Sequence, residues 1–216
     1  MNQNLSGNTS DVVARLKRLT DVIFAVSIVI FIVTGMFSIK DASFWSGYAD
    51  DPAGFVSARA YELVTSFLVF LFMALYWYTN VRLSAYILKA DATYTWINII
   101  YLFFIAVAPL PNALSIQASR DFSVQIFFGI VMFFIGFLSF VSWFYASKNY
   151  RLIGHDISPG AIKATDRELL VEPVVALLSI ITSLIDTSLW EPTLLLLPVG
   201  MIVVGILNRR ANRKGS

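Results

Sequence analysis

Four carboxylates, Asp21, Glu62, Glu172 and Asp186, stand in or beside long apolar runs of this sequence. A charge inside a hydrocarbon-spanning helix costs free energy unless it is paired, so these positions are where chemistry is sought first. Asp21 follows Arg15 and Arg18, which suits a helix N-terminus. It reads either as a cap and ion pair or as part of the mouth of a permeation path. Glu62 and Glu172 lie near expected helix starts, where an anion complements the helix dipole, and Asp186 falls with Glu191 in a short loop. These are read as structural. His155 is the single histidine and there is no cysteine, which leaves no basis for a thiolate zinc site, a disulfide or a histidine-dependent triad. No phosphate loop, nucleophile elbow or HExxH is present, so the chain is expected to be no enzyme, with no cofactor, no fixed metal and no nucleic-acid partner.

The first apolar run has three distinct faces at 100° per residue. Asp21, Ala25, Ile28, Ile32 and Gly35 share one, whose small members admit a neighbouring helix and should turn Asp21 into the protein. The opposite face carries Val26, Ile30, Val33 and Phe37, all bulky and apolar, and by spacing alone it faces lipid or another helix. Thr20, Ser27 and Thr34 recur on a face between them, where they line a wet path or bond helix to helix; the second is commoner in membrane bundles. Trp77 and Asn80 close the second apolar run and Trp96 and Asn98 open the third. Interfacial anchoring is the plain reading of these aromatics, and a buried network joining Arg15 and Asp21 to their donors is the functional one.

The elements that must position these residues follow from composition. The 216 residues are 57% hydrophobic and 14% charged, whereas soluble domains run near 25% charged. A span needs about 20 apolar residues, and the chain reads as an all-α membrane protein with six of them. They cover roughly Leu19 to Ile39, Glu62 to Tyr78, Tyr94 to Leu114, Phe122 to Tyr145, Leu169 to Ile185 and Thr193 to Leu207. Residues 1–14 are expected to be disordered, 15–208 to form the transmembrane domain and 209–216 to be a basic tail. Pro109 and Pro111 should kink or end the third span. Gly129 and Gly136, seven apart on the fourth, suggest a close-packing stripe. The loops are expected at Lys40 to Arg59 and Lys148 to Glu168.

Basic residues are unevenly divided between alternate sides. With the N-terminus go Arg15, Lys17, Arg18, Arg82, Lys89, Lys148, Arg151, Lys163, Arg167, Arg209, Arg210, Arg213 and Lys214; opposite lie only Lys40, Arg59 and Arg120. The positive-inside rule then makes both termini cytoplasmic and the number of spans even.

The run Arg15 to Asp21, with Leu19 and Thr20 before the Asp, resembles the RxxxFSD signature that opens the transmembrane protein 175 potassium channels. Leu19 stands for the Phe and Thr20 for the Ser. The similarity continues in order through Ser66, Phe67, Trp77, Trp96, Asn98 and Pro109. Two positions depart from the pattern: Asn80 replaces a usual His, and Val29 a frequent Thr. The resemblance implies a prokaryotic-type homotetramer in the cell membrane, embedded in the lipid bilayer. Its first helices would line a central pore without a re-entrant filter. Potassium would pass transiently through apolar constrictions that map to Val26, Ile30 and Val33. The network of Arg15, Leu19, Thr20, Asp21, Trp77, Asn80, Trp96 and Asn98 would lie at the cytoplasmic end. The competing readings are a secondary transporter, which should show an internal repeat and a midplane acid, and a non-conducting scaffold. No repeat and no acid near a span centre are evident in the sequence.

Overall fold

A computed structural model describes residues 3–36, 51–117 and 121–214. Among them the chain is helical, with a single isolated bridge between Ile87 and Ile153. The helices are α1 (Gln3–Met36), α2 (Pro52–Ala85), α3 (Ala92–Val107), α4 (Pro109–Gln117), α5 (Phe122–Ser147), α6 (Pro159–Ile185), α7 (Trp190–Leu194) and α8 (Leu196–Lys214). Four stretches among the described residues are long and apolar enough to cross a membrane: Ala92–Leu114, Phe122–Tyr150, Pro159–Ile185 and Thr187–Asn208. Residues 40–50 of the loop expected over Lys40 to Arg59 lie outside the described residues, and residues 52–59 are helical, because Asp51 and Pro52 start α2 there.

Short side chains at the entrances start these helices. Asp51 accepts from the Gly54 N–H with Pro52 in the first turn of α2, and Asp91 accepts from the Tyr94 N–H at the start of α3. Asp121 accepts from the Ser123 and Val124 N–H groups, and Ser158 from the Ala161 N–H just before Pro159. Each satisfies donors that the first turn leaves without partners. Pro109 brings no N–H to the Ile105 carbonyl, and the third span accordingly divides into α3 and α4 there.

Several boundaries differ from the sequence reading, among them both ends of α2, which runs Pro52–Ala85 rather than Glu62 to Tyr78. α1 is helical from Gln3, through the segment expected to be disordered. α6 starts at Pro159 rather than Leu169, and α8 runs to Lys214 through the basic tail. Hydropathy marks where a helix is apolar, whereas in α6 and α8 Lys, Arg, Glu and Ala carry the helix onward at little cost.

α5 and α6 make the most extensive contact in the bundle, and α1 packs on α2, α3 and α4. The glycines of α5 explain the first pairing. A Cβ at Gly129 would lie 2.5 Å from Ile180 Cγ1, and one at Gly136 would lie 2.7 Å from Pro173 Cδ and 2.8 Å from Glu172 Cγ. Both therefore serve the close approach that their spacing suggested.

The core has two parts. Phe24 and Phe31 of α1 join Met73, Tyr101, Leu102, Ile105, Val131 and Ile135 around the middle of the bundle. Val13, Leu83, Tyr94, Trp143, Leu152 and Ile153 pack nearer the N-terminal end. There the α5–α6 connection folds back: Asn149 and Tyr150 adopt φ of 56° and 53°, the Leu152 N–H returns to the Ala146 carbonyl, and the Leu88 N–H donates to the Leu152 carbonyl. His155 stacks on Tyr150, with ring centroids 4.7 Å apart.

Candidate functional site

The rotation of α1 decides which of its faces can do anything. Val13, Thr20, Phe24, Ser27 and Phe31 are buried in the subunit. Val26, Ile30 and Val33 remain 53%, 40% and 42% exposed, with Val22 and Val29 beside them. The bulky apolar face is thus directed away from the subunit core and the hydroxyl-bearing face into it; the Thr34 side chain lies outside the described residues. Thr20 donates its hydroxyl to the Leu16 carbonyl at 2.9 Å within its own helix.

Asp21 does not turn into the protein as the small residues on its face suggested; it is exposed, as are Ala25 and Ile32. The reason is area. Each Phe buries on the order of 150–250 Å², so placing Phe24 and Phe31 in the core outweighs any gain from an Ala stripe.

Of the expected network, one cross-helix contact to Asp21 forms. Trp77 Nε1 of α2 donates to Asp21 Oδ1 at 2.9 Å, at an exposed position. Arg15, Leu19 and Trp96 are exposed, Trp96 at 64%. That much open indole suits interfacial anchoring. Asn98 is buried but bonds elsewhere: its Nδ2 donates to the Tyr94 carbonyl at 2.8 Å and to Ser142 Oγ of α5 at 3.0 Å. Asn80, Asn98, Thr20 and Lys17 line one small cavity of about 30 Å³. Asp21–Trp77 and the two asparagines are therefore separate features, not one chain.

Glu172 also lies away from its expected place near a helix start. It sits at the midpoint of α6, far from either helix end. Its Oε1 is buried with no hydrogen-bond partner. The ten additional helical residues from Pro159 move it from a first turn to the centre, so the dipole no longer explains it. One turn away, Glu168 accepts from Arg82 of α2 at 2.6 Å. No group of three or more metal-ligating side chains occurs among the described residues.

Residues 15–109 match the family described as endosomal/lysosomal potassium channel TMEM175. The segment takes in α1 from the basic motif onward, α2 and α3. No curated protein matches the chain significantly.

Proposed function

We propose, on the premise that residues 15–109 belong to the TMEM175 family, that this multi-pass membrane protein is a potassium-preferring cation channel. Six helical spans form each subunit, with both termini cytoplasmic, and four copies surround a pore lined by α1. The observation that carries the reading is the orientation of α1. Its apolar ridge of Val26, Ile30 and Val33 is exposed while its hydroxyls at Thr20 and Ser27 are turned inward.

That ridge needs a covering. Lipid would serve one copy, and symmetry-related ridges meeting on an axis would serve four. A ring of branched alkyl side chains closes such an axis by excluding water, and widening it by a small rotation of α1 lets water and ions pass without breaking a salt bridge. The Asp21–Trp77 bond then ties the cytoplasmic end of α1 to α2, so that the ridge keeps its angle.

A secondary transporter is the second reading, and Glu172 favours it, since coupled transporters bind their ions at a midplane acid. Purified protein in vesicles under a potassium gradient separates the two. A channel passes potassium down its gradient, with a voltage set by that gradient, whether or not pH or sodium gradients are imposed. Potassium movement that requires a proton or sodium gradient would establish the transporter instead.

A further inference from the structure

Glu172 lies at a junction of cavities inside the subunit, behind α1 rather than on its exposed ridge. One cavity, of about 100 Å³, is walled mainly by apolar side chains, among them Phe31 of α1 and Phe128 of α5. A second, of about 70 Å³, includes Thr79, Tyr101, Ser139 and Glu168 in its wall. Tyr76 and Glu172 belong to both. The second shares Tyr101 and Ser139 with the cavity of about 30 Å³ that continues to Asn98 and Lys17. Hydroxyl, amide and charged side chains thus occur at intervals from Lys17 to Glu172 in walls that are otherwise mostly apolar, and beyond Glu172 the wall adds Asn112 alone to the polar side chains.

The surroundings of Glu172 offer it no counter-ion. α2 presents Tyr76, and Arg82, whose guanidinium is paired with Glu168. α3 presents Tyr101, α6 itself Glu168, while α5, α8 and α1 present Ile135 and Ser139, Leu197 and Met201, and Phe31, none of them ionisable. Pro173 removes the N–H that would bind the Leu169 carbonyl, and Gly136 lets the Glu172 stem lie against α5. A carboxylate so placed must be neutralised. A dehydrated metal ion needs six or more converging oxygens, whereas a proton needs only one base and a path.

We propose that Glu172 is a proton-binding site loaded through this series of cavities from the Lys17 end of the bundle. A water in the 70 Å³ cavity, well above the roughly 10–15 Å³ of such space that one water needs, holds the incoming proton as hydronium. The proton passes to a Glu172 oxygen, the carboxylate becomes the acid, and neutral water is left. The apolar wall beyond stops it there, so the site is a one-ended store and not a second pore. It stands whether or not α1 lines a channel.

Infrared difference spectroscopy on the full chain in lipid vesicles reads this directly. The expected result is a buried carboxylic-acid carbonyl band that fades as pH rises, is absent in Glu172→Gln and is displaced but retained in Glu172→Asp. In heavy water the band should shift within the mixing time. Thr79→Val combined with Ser139→Ala should slow that shift at least tenfold without moving the titration. A band that is missing at every pH, that persists in Glu172→Gln, or that responds to exchange of potassium for N-methylglucamine as strongly as to pH overturns the proton site. Should Glu172→Gln fail to fold, an undisplaced band in Glu172→Asp overturns it equally. Exchange that is slow in the unmodified protein, or unaffected by the double variant, overturns the route.

Discussion

Trp77 donates its indole N–H to Asp21 across 2.9 Å and so joins α2 to α1 at the end where the basic motif lies. The contact is exposed, so its strength is that of a screened charge-assisted bond, about 0.5–1.5 kcal/mol. The roughly 3–5 kcal/mol that a buried charge would lose does not apply. A double-mutant cycle of Asp21→Ala and Trp77→Phe, followed by thermal unfolding in detergent, should return a coupling in the lower range that shrinks in high salt. Additive single effects would leave the two residues as neighbours without a bond.

An added methyl group at Gly136 of α5 would lie 2.7 Å from Pro173 Cδ of α6, whereas at Gly205 of α8 it would meet nothing within 4 Å. Gly136→Ala forces its Cβ against the Glu172 stem and against the Pro173 ring, which cannot swing aside, and should destabilise by about 1–3 kcal/mol. Gly205→Ala should be neutral or stabilising by up to about 1 kcal/mol through helix propensity. Unfolding midpoints of both variants check the pair, and the opposite order would contradict the packing described.

Asp91 serves two elements at once. Its Oδ1 accepts from the Tyr94 N–H at 2.9 Å and its Oδ2 from the Tyr145 hydroxyl at 2.7 Å. Asp91→Ala removes both the cap of α3 and the tie to α5, for a loss of about 1–3 kcal/mol. Tyr145→Phe removes only the tie and should cost less, which denaturation of the two variants in parallel would show.

The split of legibility follows length scale. Helix existence was readable because apolar runs near 20 residues long have few other solutions. The Gly129 and Gly136 stripe was readable because small residues at that spacing have one common use. Where helices end was not, as Pro159 and Lys214 show, since hydropathy is silent about polar helix. The rotation of α1 is half readable: Val26, Ile30 and Val33 form a uniform ridge in the sequence, but the small residues beside Asp21 point inward only until the larger buried area of Phe24 and Phe31 is set against them. Glu172 was hidden by the boundary error alone. Glu-Pro inside an apolar run, with helix formers upstream, was the available signal.

Asp186 gives the protein an acid-side dependence outside the spans. The Ser188 backbone N–H holds its carboxyl below the ordinary carboxylate range. The folded state then favours the charged form, so this contribution is complete above the unfolded value of about 3.9 and is lost as pH falls through the lower folded value. Comparison of Asp186→Ala with the unmodified protein should show a gap in unfolding temperature at mildly acidic pH that narrows in strong acid. A gap that widens with acid would reverse the sign and remove the capping bond as its cause.

The faces of α1 provide the decisive test of the channel reading. Ser27 is buried and Ile30 is exposed, and three residues at 100° each place them about 60° apart around the helix, so both cannot be centred on one pore axis. If the exposed ridge closes the pore, Ile30→Asn puts an amide where a branched alkyl group excluded water, and potassium flux in vesicles should rise. A barrier lowered by about 1.4 kcal/mol gives a tenfold gain, a reasonable scale for one hydrated ring. Ser27→Ala, inside the subunit, should change flux little, and any effect should come through stability. The reverse result, with Ile30→Asn silent and Ser27→Ala abolishing flux in protein of unchanged oligomeric state, would mean that ions run along the hydroxyl face. The ridge would then face lipid, and α1 would have to rotate in the assembled protein relative to the subunit described.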